Sequence, residues 1–201
     1  GSCRVCVVEV NGRQVSACTQ PAAAGLEVDN ASDAIVEERR NLLQMLFVEG
    51  NHVCPSCEKS GACQLRAVAY YTGMLSPHYT HFFPQRSVDA SHPDTAIDFN
   101  RCILCELCVR ASRDVDHKNV FSLGGRGIDA QLVINSPSGK LGDSSFAATD
   151  KAAHVCPVGA ILPKHRGYEQ PIGDRLYDKR PISIVGDVAA NEPGNKGDGH
   201  G

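Results

Sequence analysis

Apolar residues fall in short runs at the start of the chain and in longer, helically spaced sets further on. Cys6 to Val10 reads as a strand running into Asn11-Gly12, a two-residue hairpin signal, and Gln14 to Cys18 is its return strand. Leu26-Glu27-Val28 predicts a short third strand. Asn30-Ala31-Ser32-Asp33 then offers helix N-caps, and Ala34 to Glu49 reads as a helix. Its apolar positions, Ile35, Val36, Leu42, Leu43, Leu46 and Phe47, keep near-helical spacing but are interrupted by Arg39-Arg40. Gly50 is positioned to close that helix as the residue after its C-cap.

Asn51 to Cys63 is turn-rich, and Gln64 to Leu75 predicts a second helix with Cys63 near its start. Residues 76–98 carry Pro77, Pro84 and Pro93 among His78, His81 and His92, and read as a linker. A helix is expected from Ile103 to about Val115. Val120 to Leu123 and Asp129 to Ile134 suggest a hairpin around Gly124-Gly125-Arg126-Gly127. Ser144 to His154 is expected to be helical, and Ile182, Ile184 and Val185 form a last apolar stretch. Gly186 to Gly201 is polar and reads as a flexible tail. The class is therefore α+β, in unlike modules with no internal repeat: 1–30, 31–77, 78–185 and the tail 186–201.

Composition narrows the picture. Hydrophobic residues make up 42% of 201 residues, but aromatics are only 5% and Trp is absent, so each core is small and needs a staple such as a metal cluster. A net charge of −3 supplies no general basic surface for nucleic acid, and no apolar run approaches the roughly 18 residues of a membrane span. No G-x-G-x-x-G fingerprint is present, and Gly124-Gly125-Arg126-Gly127 reads as a turn rather than a phosphate cradle. No nucleophile–base set stands out, so no catalytic residue is assigned. The chain opens on Gly1-Ser2-Cys3 without Met, and further sequence is expected upstream.

All ten cysteines fall into metal-cluster spacings. Cys102, Cys105 and Cys108 form C-x2-C-x2-C, a run that wraps a cubane so that three thiolates reach three irons. Cys156, in a Cys-Pro pair with Gly159 allowing close backbone approach, is the expected fourth ligand of that 4Fe-4S site. Cys54, Cys57 and Cys63 form C-x2-C-x5-C, with His52 as candidate fourth ligand of a second 4Fe-4S site. A neutral imidazole there would leave the cluster less negative. Capping of the preceding helix is the other reading of His52, and Glu58 is a weaker substitute ligand. Cys3, Cys6 and Cys18 suit a 2Fe-2S site in a β-rich, plant-type ferredoxin module whose fourth cysteine lies upstream. Zinc is the alternative metal, although zinc usually shows two separated cysteine pairs. His154 reads as structural. Secreted disulfide frameworks do not usually show C-x2-C triplets, and reduced thiolates suit a cytoplasmic chain.

The segment from Gly50 to Leu65, with Arg101-Cys102-Ile103-Leu104-Cys105, Cys156-Pro157-Val158-Gly159 and Pro171-Ile172-Gly173, resembles the electron-transfer subunit of the diaphorase module in soluble NAD-reducing NiFe hydrogenases. The same order of motifs is similar to the N-terminal part of the large iron–sulfur subunit of respiratory complex I. Complex I relatives leave three residues between this histidine and the next cysteine, whereas here only Val53 intervenes. The resemblance implies an electron relay between a flavin-bearing, NAD-binding subunit and the small and large subunits of a hydrogenase. A fragment of a complex I subunit, the accessory part of another hydrogenase or formate dehydrogenase, and a zinc-stabilised assembly module are the competing readings.

Overall fold

The computed structural model describes residues 3–167 and 170–186. Asn11 and Gly12 both take positive φ, 48° and 76°, the turn whose twist suits two paired strands. It joins β1 (Val7–Val10) to β2 (Arg13–Ser16), with Val8 opposite Val15. β3 (Val28–Asp29) pairs with the other edge of β1, Val10 facing Val28; it begins two residues later than the third strand predicted at Leu26 to Val28 and shares only Val28 with it.

Helix α1 (Asp33–Val48) starts at Ser32, whose Oγ accepts the Ile35 N–H at 3.4 Å. The Arg39-Arg40 interruption ties the helix to both neighbours. Arg39 Nη2 donates to the Val7 carbonyl at 2.7 Å, and Arg40 Nε to the Thr72 carbonyl at 3.0 Å. Gly50 differs from expectation. It is not left-handed; a Cβ there would lie 2.6 Å from His52 Nε2 and 3.0 Å from the Asn100 carbonyl, so glycine is required for close approach. Helix α2 (Gln64–Tyr71) starts at Cys63 as expected but stops four residues before Leu75, because Thr72 Oγ1 turns back onto the Val68 and Ala69 carbonyls and Gly73 takes φ 72°.

The stretch read as a linker over 76–98 contains two strands, β4 (Val88–Asp89) and β5 (Thr95–Asp98). With β8 (Ile161–Pro163) they form an antiparallel sheet of order β4-β5-β8, Ile97 facing Ile161. The long helix expected from Ile103 is mostly not one. Leu104 and Glu106 take left-handed φ of 54° and 63°, so the chain curls before α3 (Leu107–Arg110), which runs into a π-turn over Ala111–Val115. The hairpin of β6 (Phe121–Gly124) and β7 (Gln131–Ile134) forms where predicted. The helix expected over Ser144 to His154 is only α4 (Lys151–His154). Its first N–H groups are capped by Asp116 at 2.8 and 3.0 Å, while Asp150 is spent on Lys118 and the Ala147 N–H. The last apolar stretch is α5 (Ile182–Val185), and the expected tail lies, beyond Gly186, outside the described residues.

Two apolar cores result. One gathers Ile97, Val120, Phe121, Ile134, Leu141 and Phe146; the other gathers Leu43, Leu65, Ala69, Met74, Val158 and Ala160. Cys102 and Cys156 pack against both. Among the described residues no helix is long and apolar enough to cross a membrane.

Candidate metal centres

The loop after α1 brings His52, Cys54, Cys57 and Cys63 around one space, with Phe47, Arg66, Arg101 and Gly159 on its walls. A 3-10 turn over Cys54–Ser56 presents the first thiol, and Cys63 sits at the N-terminus of α2, where backbone N–H groups of Leu65 and Arg66 reach its sulfur. Burial still dominates and pushes the Cys63 thiol up to about 11; Cys54 is raised for the same reason. His52 behaves in the opposite sense. Burial holds its imidazole down near 4, so the ring is neutral, and its buried Nε2 has no hydrogen-bond partner. A neutral, orphaned ring nitrogen among three thiols is an available ligand atom. Glu58, the weaker candidate, is instead paired with Arg101 at 2.9 Å.

The second space is ringed by Cys102, Cys105, Cys108 and Cys156, so the distant Cys-Pro cysteine does meet the triplet. Cys102 follows a 3-10 turn over Phe99–Arg101, the left-handed residues at 104 and 106 curl the chain past Cys105, and Cys108 lies on α3. The rest of the lining is apolar apart from Glu106. Burial pushes Cys105 up to about 12 and raises Cys102 and Cys108, so cluster assembly must displace these protons.

The third set lies at the open end of the first hairpin. Cys6 precedes β1 and Cys18 follows β2, and the Cys18 N–H lies 3.5 Å from Cys6 Sγ. Val5, between Cys3 and Cys6, packs against the same apolar core as Cys102, Ile103 and Cys156. On its other side the second space meets the first. A Cβ on Gly159 would lie 2.6 Å from Cys57 Sγ, and the Gln64 N–H bonds the Pro157 carbonyl at 2.9 Å. The C-x2-C-x2-C site thus adjoins the His52 site and shares a core with the segment that carries Cys3 and Cys6.

Among the described residues no group of three or more His, Cys, Asp or Glu side chains is arranged to hold one metal ion. A tetrahedral zinc with Zn–S of about 2.3 Å draws its sulfurs close together, whereas a cubane holds its thiolates at the corners of a larger body. The donor sets, the orphaned His52 nitrogen and the glycine wall fit polyatomic clusters. Sequence reasoning missed Arg66, Arg101 and the true role of Gly50, whose partners lie at other elements.

Three family models match, each over one ligand set: a 2Fe-2S iron–sulfur cluster binding domain over residues 1–33, the NADH-ubiquinone oxidoreductase-G iron–sulfur binding region over 39–78, and a 4Fe-4S single cluster domain over 96–162. The HoxS gamma subunit of the NAD-reducing hydrogenase of Cupriavidus necator is 41% identical over 189 residues, covering 90% of this chain and 77% of that protein. The NADPH-Fe(3+) oxidoreductase subunit alpha of Geobacter sulfurreducens is 30% identical over 82% of this chain but only 19% of its own length. The NADH-quinone oxidoreductase subunit 3 of Thermus thermophilus is 30% identical over 81% of this chain and 25% of its own length. Among solved structures, a chain of an NAD+-reducing NiFe-hydrogenase in the H2-reduced state superposes with a TM-score of 0.90 at 53% identity, covering 96% of this chain and 82% of that one.

Proposed function

The chain belongs to the family of the NAD-reducing hydrogenase gamma subunit, and from that premise we propose that it relays electrons between a flavin-bearing, NAD-binding subunit and the small and large subunits of a NiFe hydrogenase. The complex is an oxidoreductase; this chain itself transforms no substrate. In this reading His52, Cys54, Cys57 and Cys63 hold one 4Fe-4S cluster and Cys102, Cys105, Cys108 and Cys156 another. Cys3, Cys6 and Cys18, with one further ligand, hold a 2Fe-2S cluster. The module division 1–30, 31–77 and 78–185 follows these sets.

Bound clusters supply one-electron carriers. The chain's own residues hold them close to each other, with the two 4Fe-4S sets partly or fully buried and Cys18 exposed. The observation that carries the reading is the closeness of the three sets: Val5, between Cys3 and Cys6, packs against the same core as Cys102 and Cys156, and the Gly159 backbone lies against Cys57. It makes the Cys102 set the middle station. The fragment of a complex I subunit is less favoured, since the NADH-quinone oxidoreductase relative from Thermus thermophilus shares less identity over much less of its length.

Anaerobic iron and sulfide quantitation with EPR on the intact complex tests the assignment. Cys105→Ala is expected to remove one 4Fe-4S signal and to abolish hydrogen-driven NAD reduction while each partner keeps its own half-reaction with artificial acceptors. Full NAD reduction in that variant would contradict the relay.

A further inference from the structure

Arg101 stands where two sites meet. Its backbone directly precedes Cys102, yet its side chain turns into the wall of the His52 space. Nη1 lies 3.6 Å from Cys57 Sγ, 3.4 Å from the Gly159 carbonyl and 2.9 Å from Glu58 Oε2, and Nε lies 2.9 Å from Asp98 Oδ2. The side chain is 19% exposed, so the contact to sulfur is largely shielded from water. A guanidinium keeps its charge at any working pH and presents its donors in a rigid fork. Asp98 holds the Nε side of that fork, and Glu58 shares Nη1 with the sulfur, so the two carboxylates fix the guanidinium beside Cys57.

We propose that Arg101 is a positioning residue that sets the reduction potential of the cluster held by His52, Cys54, Cys57 and Cys63, by holding an N–H and a positive charge against Cys57 Sγ. The inference rests on the assignment of that cluster. Reduction adds negative charge that spreads onto the sulfurs. A donor and cation beside one of them stabilise the reduced state more than the oxidised one, and hydrogen bonds to sulfur and net charge are two levers by which a protein tunes such a centre. Glu58, on the same nitrogen, offsets part of that charge. The effect is larger at the His52 site, because Arg101 lines that space and is not among the residues lining the Cys102 set.

The test is a redox titration followed by EPR on the whole complex, with the His52-site signal identified by its loss in Cys57→Ala. In Arg101→Gln the midpoint of that signal should move negative. The electron distribution relative to the Cys102-set cluster should change by tenfold or more, which is about 59 mV for a one-electron couple. Arg101→Lys, which keeps the charge without the fork, should recover part of the shift, and Glu58→Gln should move the same midpoint positive. An unmoved midpoint in Arg101→Gln, or an equal shift of both clusters, would overturn the proposal. If Arg101→Gln loses the cluster altogether, Glu58→Gln decides: a positive shift supports the proposal and any other result overturns it. Absence of a second 4Fe-4S signal from the unaltered complex would overturn the site assignment itself, and the proposal with it.

Discussion

At Gly50 there is no room for a methyl group, because the His52 ring already occupies the place where it would go. Gly50→Ala would displace the imidazole from its place in the wall of the space lined by the three thiols. Gly50 lies beyond the end of α1 and does not take a positive φ, so the helix itself should not weaken. The expected outcome is a complex that assembles, keeps the Cys102-set signal, and shows an altered or missing His52-site signal by EPR; an unchanged spectrum would show that the imidazole is not needed there. Ligand candidates such as Cys54, Cys57 and Cys63 were legible in the sequence because their spacing is local and their chemistry specific. Gly50 and Arg101 were not, because each acts on a group reached only through the fold: Gly50 beside the Asn100 carbonyl, Arg101 beside Cys57.

Among elements, those that satisfy themselves locally were readable. The two hairpins follow from Asn11-Gly12 and from the glycine-rich turn, and α1 from its cap and apolar spacing. The sheet of β4, β5 and β8 was not, since Thr95 pairs with Pro163 across most of a module and β4 is two residues long. The curled run at Ile103 to Glu106 escaped because two non-glycine residues adopt left-handed backbone to bring Cys105 inward. The segment from Pro171 to Asp178 illustrates a third case. It is polar and irregular, yet Arg175 Nη1 donates to the Ser60 carbonyl at 2.7 Å, Asp178 Oδ2 binds Arg175 Nε at 2.8 Å, and the Tyr177 N–H bonds the Gly61 carbonyl at 2.8 Å. It straps the loop that carries Cys57 and Cys63. Arg175→Ala removes a part-buried charge-assisted bond and should cost about 1.5–3 kcal/mol of local stability. Limited proteolysis of the complex should then cut within 170–186 faster than in the unaltered chain; equal cutting rates would mean the strap is not held by Arg175.

On the scale of the whole molecule, two small cores are joined through cysteines. Cys102 and Cys156 pack against both, and Cys63 against one of them. Metal-ligand energy is folding energy in such a design. Stripping iron and sulfide under anaerobic, reducing conditions should therefore lower the thermal midpoint and loosen both cores together. Hydrogen exchange should rise in α2 and in the β6–β7 hairpin alike. Exchange confined to one of them would indicate that the cores are independent. The small-core composition already implied a need for staples, but not that two of the staples would be common to both halves.

The Gly159 backbone lies so close against Cys57 that no Cβ fits between them. In a wire made of discrete stations, the thinnest insulation is the place where conductance is decided. A single added carbon at residue 159 would have to push a ligand sulfur aside, and the circuit would be throttled at that joint while both terminals keep their own chemistry.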